Sequence, residues 1–516
     1  MLGTDHIVAS ADQLATQAAM ATFERGGNAV DAAIACNAAM AVVAPHLCGL
    51  GGDLFALVHT GDEVVGLDAS GRAGSGADAE SLRAEHHRVM PMRHDVRAVT
   101  VPGCVDGWLA LHEQFATLEL RDVLAPAIRL AAHGFPASPL LVGSLALLDD
   151  DGRQQLDELV AQATAPGAVV RRPGVALVLQ AIADRGRNAF YQGPFGEGLI
   201  ALGDGLFDAA DLERVQATWV VPLSTAVFGA HLATIGPASQ GYLALATCAL
   251  AESVGLPDDP ADPGWAHILI EAATAAGHDR PAVLHEGADG ADLLAEVSAR
   301  SHMIDVDRAS PRWAGVAGGD TTYLCTAEAG GLAVSLIQSN ASGFGSWLVE
   351  PTTGINLHNR GLGFSLDPGH PAELRPGARP PHTLSPAMAT GDDGALVAVL
   401  GTMGGDGQPQ IVAQLAARIL LNGDSPARAV DAGRWVLRGP ETGFDTWTAE
   451  AGPSVLVEGH APAPWRTGLI ERGHRVDVAP AFDSSFGHAH VIVAEPAGVL
   501  AGAADPRARI GAAAAM

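Results

Sequence analysis

The sequence predicts an α+β fold in which helical and strand layers are stacked in one domain. Residues 10–44 are rich in alanine with apolar positions at helical spacing, and residues 100–320 are mainly helical in periodicity, broken by proline and glycine. After Gly318 the character changes to β-rich runs on both sides of a further helical segment. Strands that flank helical blocks favour stacked α and β layers.

The elements follow in chain order. Residues 10–44 are predicted to form two helices, because Gly26 and Gly27 end the first one and the pattern restarts at Asn28. Residues 54–67 are predicted to be two strands around a Thr-Gly-Asp turn. Further helices are expected at residues 109–115, 123–132, 175–184 and 410–421. Residues 256–264 carry three prolines among acidic residues and are predicted to be a surface loop.

The strongest strand prediction lies in the second part of the chain. Residues 321–327 and 332–339 are β-rich and are joined by Ala329, Gly330 and Gly331, which is the turn chemistry of a hairpin. Residues 395–400 and 490–494 are predicted to be additional strands.

Composition excludes several classes of function. The 516 residues include 30 arginines, no lysine and 58 acidic residues, which gives a net charge of −28. A field of that sign repels polyphosphate and anionic lipid, so neither nucleic acid nor a membrane is an expected partner. The five cysteines are widely spread without a C-x-x-C pair, which argues against a disulfide scaffold or a structural zinc site. The N-terminus lacks a basic start and an apolar stretch, so the expected location is the cytoplasm.

One segment with metal-ligand residue types is better explained without a metal. Residues 85–87 read Glu-His-His and residues 94–95 read His-Asp, but four arginines are interleaved with them and would oppose a cation. A solvated loop is therefore the prediction.

The most informative segment is GGDTTYL at residues 318–324. A hydroxyl residue that opens a strand after two glycines can attack the carbonyl of the preceding residue, here Asp320, and hydrolysis of the resulting ester leaves Thr321 as a new N-terminus. The freed α-amine has an ordinary pKa of about 7.7 to 8.0, so it can act as general base for its own hydroxyl. Composition alone would favour an ordinary threonine pair in a strand.

Resemblance to a known family decides in favour of the catalytic interpretation. The opening run from Ala11 to Gly52 reads A-x-x-L-A-T-x-A, then GGNAVDAAIA, then a proline and the start of CGLGGDLF. It is followed in order by VPGCVDGWLALHEQF, LAPAIRLAAHGFPAS, GGDTTYL, GFGSWLVEPTTGINLHNRG, HTLSPAM, GTMGGDGQPQ and ADPR. This succession of motifs resembles the γ-glutamyltranspeptidase family. The residues within the motifs are most similar to the branch of cytosolic γ-glutamyltransferase-like proteins and cephalosporin-type acylases.

The resemblance implies a four-layer αββα N-terminal nucleophile hydrolase that cuts itself between Asp320 and Thr321. Residues 1–320 would become a large chain and residues 321–516 a small chain, and the two would remain associated as one intertwined structural domain. The family requires no metal or organic cofactor.

Residue by residue, the resemblance assigns a catalytic set. Thr321 matches the catalytic threonine, Ser339 a second hydroxyl beside it, and Asn340 lies near the family's asparagine, offset by one position. Gly404 and Gly405 match the glycine pair whose peptide N–H groups form the oxyanion hole.

A second set is expected to bind the substrate. Arg72 matches the arginine that holds the substrate carboxylate, which is reasonable because the net charge cannot attract an anionic donor. His382 and Thr383 lie where the family places two hydroxyl residues near that carboxylate.

The expected reaction is cleavage of γ-glutamyl or similar small acyl amides, with the acyl group passed from Thr321 to water or an amino acid. One departure bears on the substrate: residues 362–365 read Leu-Gly-Phe-Ser where γ-glutamyl-specific members carry an acidic residue that holds the donor's ammonium group. A glutaryl or cephalosporin-type acylase without γ-glutamyl preference is therefore an alternative. An uncleaved homologue that only binds is a second alternative.

Overall fold

The structure is a computed structural model that describes residues 1–310, 321–438 and 454–516. Its helices are α1 (Gln13–Phe23), α2 (Ala29–Val43), α3 (Ala79–Ala84), α4 (Cys104–Phe115), α5 (Leu120–His133), α6 (Pro139–Leu145), α7 (Asp150–Gln155), α8 (Asp157–Gln162), α9 (Pro173–Arg185), α10 (Asn188–Tyr191), α11 (Pro194–Gly203), α12 (Ala209–Glu213), α13 (Tyr242–Val254), α14 (Pro263–Gly277), α15 (Arg280–Val283), α16 (Gly290–Ser298), α17 (Gln408–Ala416), α18 (Pro426–Asp431) and α19 (Ala463–Glu471).

The strands are β1 (Leu2–Gly3), β2 (His6–Ser10), β3 (Asp53–Thr60), β4 (Val64–Ala69), β5 (Phe135–Pro136), β6 (Val169–Val170), β7 (Thr218–Val220), β8 (Leu223–Val227), β9 (Ala230–Thr234), β10 (Thr322–Glu328), β11 (Leu332–Ser339), β12 (Val349–Glu350), β13 (Ile355–Asn356), β14 (Ala387–Thr390), β15 (Leu396–Thr402), β16 (Trp435–Arg438), β17 (Ser454–Glu458), β18 (Val476–Ala479), β19 (Ala489–Glu495), β20 (Val499–Ala504) and β21 (Ala512–Ala515).

The first two helices form as predicted because their ends are capped by local chemistry. Asp12 accepts a hydrogen bond from the Leu14 amide at the start of α1, and Asn28 and Asp31 form a reciprocal capping box at the start of α2. Every residue of α2 is buried, so its alanines let neighbouring helices approach closely.

Two seven-stranded antiparallel sheets form the centre of the molecule. The front sheet has the order β21-β2-β10-β11-β3-β4-β7, and the back sheet has the order β1-β20-β19-β15-β14-β9-β8. The predicted hairpin of β10 and β11 occupies the middle of the front sheet, between β2 and β3. Strands from before and after residue 320 therefore alternate within one sheet.

Three apolar cores separate four layers. Alternate side chains of β10 face opposite ways: Leu324 packs with helices α1, α2, α4 and α5, whereas Tyr323 and Cys325 pack against the back sheet. On the far side of the back sheet, Leu400 and Val491 pack with α13, α14 and α17. The order helix, sheet, sheet, helix confirms the predicted αββα fold.

The sequence missed some elements and misplaced one boundary. Strands β8 and β9 lie within the stretch predicted to be mainly helical. They were missed because the turn that joins them, Phe228-Gly229 with positive φ at both residues, resembles no common hairpin sequence. Helix α14 begins inside the predicted loop of residues 256–264, since Asp262 caps it and Pro263 occupies its first turn. The helix predicted to end at Leu421 turns into a π-helical segment after Ala416.

Other expectations concern the cysteines, the membrane and the histidine-rich loop. All five cysteines are buried and free, as expected for a chain without a disulfide scaffold. Among the described residues no helix combines the length and apolarity that a membrane span requires. In the loop of residues 85–95, Arg97 bonds both Glu85 and Asp95, and His94 bonds Asp149, so the acidic groups are paired with protein cations.

Candidate active site

The register of the front sheet brings three polar side chains into one row. Thr322 pairs with Gln338, which places Thr321 opposite Ser339, and Ser339 pairs in turn with Asp53. Thr321 Oγ1 donates to Ser339 Oγ at 3.0 Å, and all three residues are buried. The predicted nucleophile and the predicted second hydroxyl are therefore in direct contact.

The Ser339 hydroxyl is the centre of this arrangement. The Ala341 amide donates to its oxygen at 2.8 Å, and Arg360 Nη2 lies 3.2 Å from it. Ala341 has φ of +73°, a left-handed conformation that alanine rarely adopts. The chain thus bends sharply after β11 at the point where it supports this hydroxyl.

Arg360 is a buried residue of this site that the sequence analysis did not single out. Its Nη1 donates to Thr383 Oγ1 at 3.1 Å, so the guanidinium joins the predicted residues Ser339 and Thr383. Burial lowers the pKa of Arg360 to about 10, against the effect of Asp53, and the group remains charged at neutral pH. Its nearest carboxylate oxygen, on Asp53, lies 4.0 Å from Nε. The signal was present in the block that ends in Asn-Arg-Gly, immediately before the departure at residues 362–365.

Asp53 is a buried carboxylate held by peptide and histidine donors. Its Oδ1 accepts from the amides of Gly71 at 3.0 Å and Gly103 at 3.3 Å, and its Oδ2 lies 3.2 Å from His382 Nε2 and 3.6 Å from His358 Nδ1. Burial opposes its ionisation, but the neighbouring histidines and arginine outweigh burial and lower the pKa of Asp53 to about 2.

The structure places His382 against Asp53 and not at an open surface. Burial lowers the pKa of His382 to about 3, so the ring is neutral at pH 7. Its Nδ1 accepts from the Leu384 amide at 3.3 Å, which leaves the proton on Nε2 to donate to Asp53. The ring also packs against Phe55 at 4.6 Å between centroids.

The glycine pair follows β15 and is tied to Thr383. Gly404 and Gly405 both have positive φ, of +134° and +54°. Gln240 Nε2 donates to the carbonyl oxygens of Thr383 at 3.2 Å and of Gly405 at 3.0 Å. A continuous chain of hydrogen bonds therefore runs from Thr321 through Ser339 and Arg360 to the glycine turn.

A second unpredicted arginine lies beside that turn. Arg280 Nη2 is 3.5 Å from an oxygen of Asp406, the residue after the glycine pair. The charge of Arg280 adds to burial in lowering the pKa of Arg360, whereas Asp53 raises it, so the two guanidinium groups are close enough to repel. The Nε atoms of both arginines are buried and have no hydrogen-bond partner among the described residues. This combination suits an anion.

Arg72, the predicted carboxylate ligand, is engaged by the protein itself. Its Nη1 donates to Glu286 Oε1 at 2.6 Å and to the Gly377 carbonyl at 3.0 Å. The second oxygen of Glu286 accepts from the Arg379 amide at 3.0 Å. A substrate carboxylate that binds Arg72 must compete with Glu286 for its charge or bind the N–H groups that Glu286 leaves.

The two remaining predicted residues have different outcomes. Asn340 is buried beside Ser339, where its Nδ2 donates to the Pro45 carbonyl at 3.1 Å and its Oδ1 has no hydrogen-bond partner among the described residues. Gly52 makes room for this corner, because a Cβ there would lie 2.4 Å from the Ser339 carbonyl. Asp320, on the other side of the predicted cut, lies outside the described residues.

The fold and this site together define the class. A hydroxyl residue at the head of a central strand, in a helix-sheet-sheet-helix arrangement, is the architecture of the N-terminal nucleophile hydrolases. Within that class, the γ-glutamyltranspeptidase family model matches residues 15–515, and the chain belongs to this family.

Individual relatives cover nearly the whole chain. The oxamate amidohydrolase proenzyme of Klebsiella pneumoniae is 36% identical, and the glutathione hydrolase-like YwrD proenzyme of Bacillus subtilis is 33% identical, each over 98% of both chains. The crystal structure of cephalosporin acylase from Bacillus halodurans is 33% identical and superimposes with a TM-score of 0.90, covering 100% of this chain and 96% of that one.

Proposed function

We propose that this protein is a self-cleaving amidohydrolase that acts on small amides carrying a carboxylate close to the scissile carbonyl. The observation that carries the proposal is the position of Arg360, whose guanidinium bonds the Ser339 hydroxyl that itself contacts Thr321 Oγ1. A buried guanidinium one hydroxyl away from the nucleophile favours an anionic substrate over a cationic one.

Self-cleavage supplies the catalytic base. Thr321 Oγ attacks the carbonyl carbon of Asp320, the C–N bond breaks, and the proton lost by the hydroxyl is taken up by the leaving amine. Water then hydrolyses the ester, which yields a large chain of residues 1–320 and a small chain of residues 321–516 that begins with the free amine of Thr321.

The same hydroxyl then attacks the substrate. The α-amine of Thr321 accepts the hydroxyl proton as the new C–O bond forms, and the peptide N–H groups of Gly404 and Gly405 stabilise the oxyanion. The amine returns the proton to the leaving nitrogen as the C–N bond breaks, which releases ammonia or an amine. Water, or an amino acid acceptor, takes the acyl group from the ester.

The substrate class follows from charge. A γ-glutamyl donor carries an ammonium group beside its carboxylate, and this chain has an arginine at residue 360 and no acid at residues 362–365 to hold that ammonium. Oxamate, named for the Klebsiella relative, has a carboxylate directly attached to the amide carbonyl and no cation. Arg360 binds that carboxylate in the proposed complex, with Arg280 beside it.

The other predicted residues take supporting roles. Thr383 holds the Arg360 guanidinium, His382 acts through Asp53 and not on the substrate, and Asn340 offers its buried amide oxygen to the amine of Thr321. Arg72 remains the candidate for a second anionic group of a longer substrate.

A glutaryl-type acylase is the second candidate, because the similar cephalosporin acylase structure extends over the whole chain. A glutaryl group also ends in a carboxylate without an ammonium, so the two candidates differ in length and not in charge.

Processing is tested first, by denaturing electrophoresis and intact-mass measurement of the purified protein. Two chains that divide between residues 320 and 321 support an enzyme. A single chain that persists through prolonged incubation would support the alternative of a homologue that only binds.

Substrate class is tested with a panel of four amides at equal concentration: oxamate, its neutral analogue oxamide, a γ-glutamyl anilide and a glutaryl anilide. We expect kcat/KM for oxamate to exceed that for oxamide by about 10- to 100-fold, the worth of one charge-assisted hydrogen bond of about 1.5–3 kcal/mol. Turnover of the γ-glutamyl anilide alone would reject the proposed substrate class, and turnover of the glutaryl anilide alone would establish the second candidate.

A further inference from the structure

Two imidazoles and a carboxylate converge in the helical layer behind the back sheet. His267 and Glu271 lie one turn apart on α14, and His474 follows α19. His267 Nδ1 is 2.7 Å from His474 Nε2, which is 4.0 Å from Glu271 Oε1, and one ligand atom from each residue lies within 4.8 Å of the others. This arrangement belongs to neither the nucleophile nor the substrate-binding residues.

The protonation of the cluster suits metal coordination. His267 Nε2 lies 2.8 Å from the Asp305 carbonyl, to which it donates, so the lone pair of His267 is on Nδ1 and faces His474. A carbonyl that accepts from the other ring nitrogen in this way typically orients a metal-binding histidine.

We propose that His267, Glu271 and His474 bind a divalent transition-metal ion of the zinc type. Two imidazoles with one carboxylate are nitrogen and oxygen donors that suit zinc, whereas calcium and magnesium prefer oxygen ligands. At Zn–ligand distances of about 2.0–2.2 Å, tetrahedral ligand atoms lie about 3.3–3.5 Å apart. The 2.7 Å and 4.0 Å separations bracket this value, so small side-chain rotations and a shift of the His474 proton to Nδ1 complete the site.

The surrounding charges permit a cation. Arg472 acts on both histidines and opposes a metal, whereas Asp305 and Asp307 act on His267 in the opposite sense. Among the described residues that act on the two histidines, Asp305 and Asp307 therefore balance the charge of Arg472, and Glu271 adds a carboxylate.

The position of the site gives it a structural consequence that rests on the proposed self-cleavage. His267 and Glu271 precede the cut at residue 320, and His474 follows it, so the metal joins the large and the small chain. The same cluster holds the last described residues of the large chain, because the Ser310 amide donates to Glu271 Oε2 at 3.1 Å and the Ala309 amide donates to the Arg472 carbonyl at 2.7 Å. The metal therefore fastens the segment that leads to the cleavage site.

Metal binding is tested on protein prepared without a polyhistidine tag and dialysed against a chelator. Zinc is titrated calorimetrically, and cobalt(II) is added separately to record the visible absorption of a tetrahedral site. We expect one ion per protein, and we expect His474→Gln to lower the affinity by at least about 100-fold, since loss of an outer-shell partner alone costs 10- to 100-fold. The control variant His231→Gln alters an exposed histidine paired with Asp392 and should bind like the wild type. No binding by the wild type, or equal binding by His474→Gln, overturns the site.

The bridge between chains is tested separately from the proposed function. Binding is repeated on the Thr321→Ala variant, which stays uncut, so a failure of processing leaves the zinc measurement intact. In the processed protein we expect zinc to raise the urea concentration at which the two chains separate, and to lose this effect in His474→Gln. Zinc binding without any such shift overturns the bridge and retains the site.

Discussion

Two buried arginines differ in how many of their guanidinium N–H groups have hydrogen-bond acceptors in the protein. Arg507, in the ADPR segment, donates from Nε and Nη2 to Glu458, from Nη1 to Asp505 and the Val430 carbonyl, and from Nη2 to the Ala432 carbonyl. Arg360 donates to two neutral hydroxyls, and its Nε has no hydrogen-bond partner among the described residues.

The comparison separates a structural guanidinium from one that can bind a ligand. Burial opposes the charge of both, but Asp505 and Glu458 outweigh burial and raise the pKa of Arg507. Burial outweighs Asp53 and Asp406 at Arg360, whose pKa is lowered to about 10. A guanidinium has five N–H donors, and those of Arg507 all have acceptors. In the proposed complex, the donors that Arg360 retains bind the carboxylate of the substrate.

The largest expected effect comes from removal of the proposed nucleophile, which Ser339 links to Arg360. Thr321→Ala should abolish both self-cleavage and turnover, a loss on the order of 10⁴-fold or more in kcat. Electrophoresis and the amide assay measure the two outcomes. The control is Thr322→Val, because Thr322 Oγ1 is buried without a hydrogen-bond partner among the described residues and the side-chain shape is kept. A Thr321→Ala protein that still cuts itself would disprove the nucleophile assignment.

Replacement of Arg507, whose N–H groups all have acceptors, should lower the stability of the protein. Arg507→Met leaves Glu458 and Asp505 as buried carboxylates, and the expected loss in the free energy of unfolding is about 3–5 kcal/mol. Urea unfolding measures it, with Arg428→Met as control because that side chain is 79% exposed and its pair with Asp424 contributes little. The folded fraction of Arg507→Met should retain the wild-type KM, and a raised KM would contradict the structural role.

Replacement of Arg360 should show the opposite pattern. Arg360→Met should lower kcat/KM for oxamate by about 10- to 100-fold, corresponding to about 1.5–3 kcal/mol, and should leave turnover of the neutral oxamide nearly unchanged. Circular dichroism and intact mass establish that the variant is folded and processed. An equal loss for both amides would show that Arg360 serves structure and not substrate charge.

Acid should destabilise the regions around Arg360 and around Asp505, because both contain buried neutral histidines. Burial lowers the pKa of His382 near Arg360 to about 3, and lowers the pKa of His488 and His490 near Asp505 to about 4 and about 3. Each folded-state pKa lies below the unfolded value near 6.5, so the unfolded chain binds more protons below that pH. The free energy of unfolding should be constant above about pH 7 and should fall below pH 6.5 by about 1.4 kcal/mol per pH unit for each histidine.

Urea titrations between pH 8 and pH 5 measure this decline. Asp53 and Asp505 add nothing in that range, because their pKa values are lowered to about 2 and their contribution is lost only at lower pH. Burial raises the pKa of Asp12 to about 6, so protonation of this one carboxyl offsets part of the decline below that pH. A stability that stays constant down to pH 5 would contradict burial of neutral histidines.

Local chemistry explains which parts of the molecule the sequence could predict. The capped helices α1 and α2 and the Gly-Gly hairpin of β10 and β11 are set by neighbouring residues, and that hairpin register already places Thr321 opposite Ser339. Strands β8 and β9 are short and are joined by an unusual turn, so no local signal marks them.

The site was harder to predict because long-range contacts assemble it. Arg360 becomes part of the site only because the fold brings Thr383 and Ser339 to its Nη1 and Nη2 atoms. Arg280 becomes part of it only because α15 lies against the glycine turn. For Arg72 the sequence suggested a free carboxylate ligand, whereas the fold supplies Glu286 as its partner.

The pairing of Arg72 with Glu286 gives the smallest prediction and the one that decides between two carboxylate anchors. The Glu286 side chain is 39% exposed, and such a pair contributes about 0–1 kcal/mol. If Arg72 holds a second anionic group, Glu286→Gln removes the competing charge and lowers KM for a longer substrate such as a glutaryl amide by up to about 5-fold. KM for oxamate, whose proposed anchor is Arg360, should stay unchanged in the same variant. Steady-state kinetics with both amides measure the difference. A lower KM for oxamate would indicate that Arg72, and not Arg360, binds its carboxylate. An unchanged KM for both amides would indicate that Arg72, like Arg507, has a structural role only.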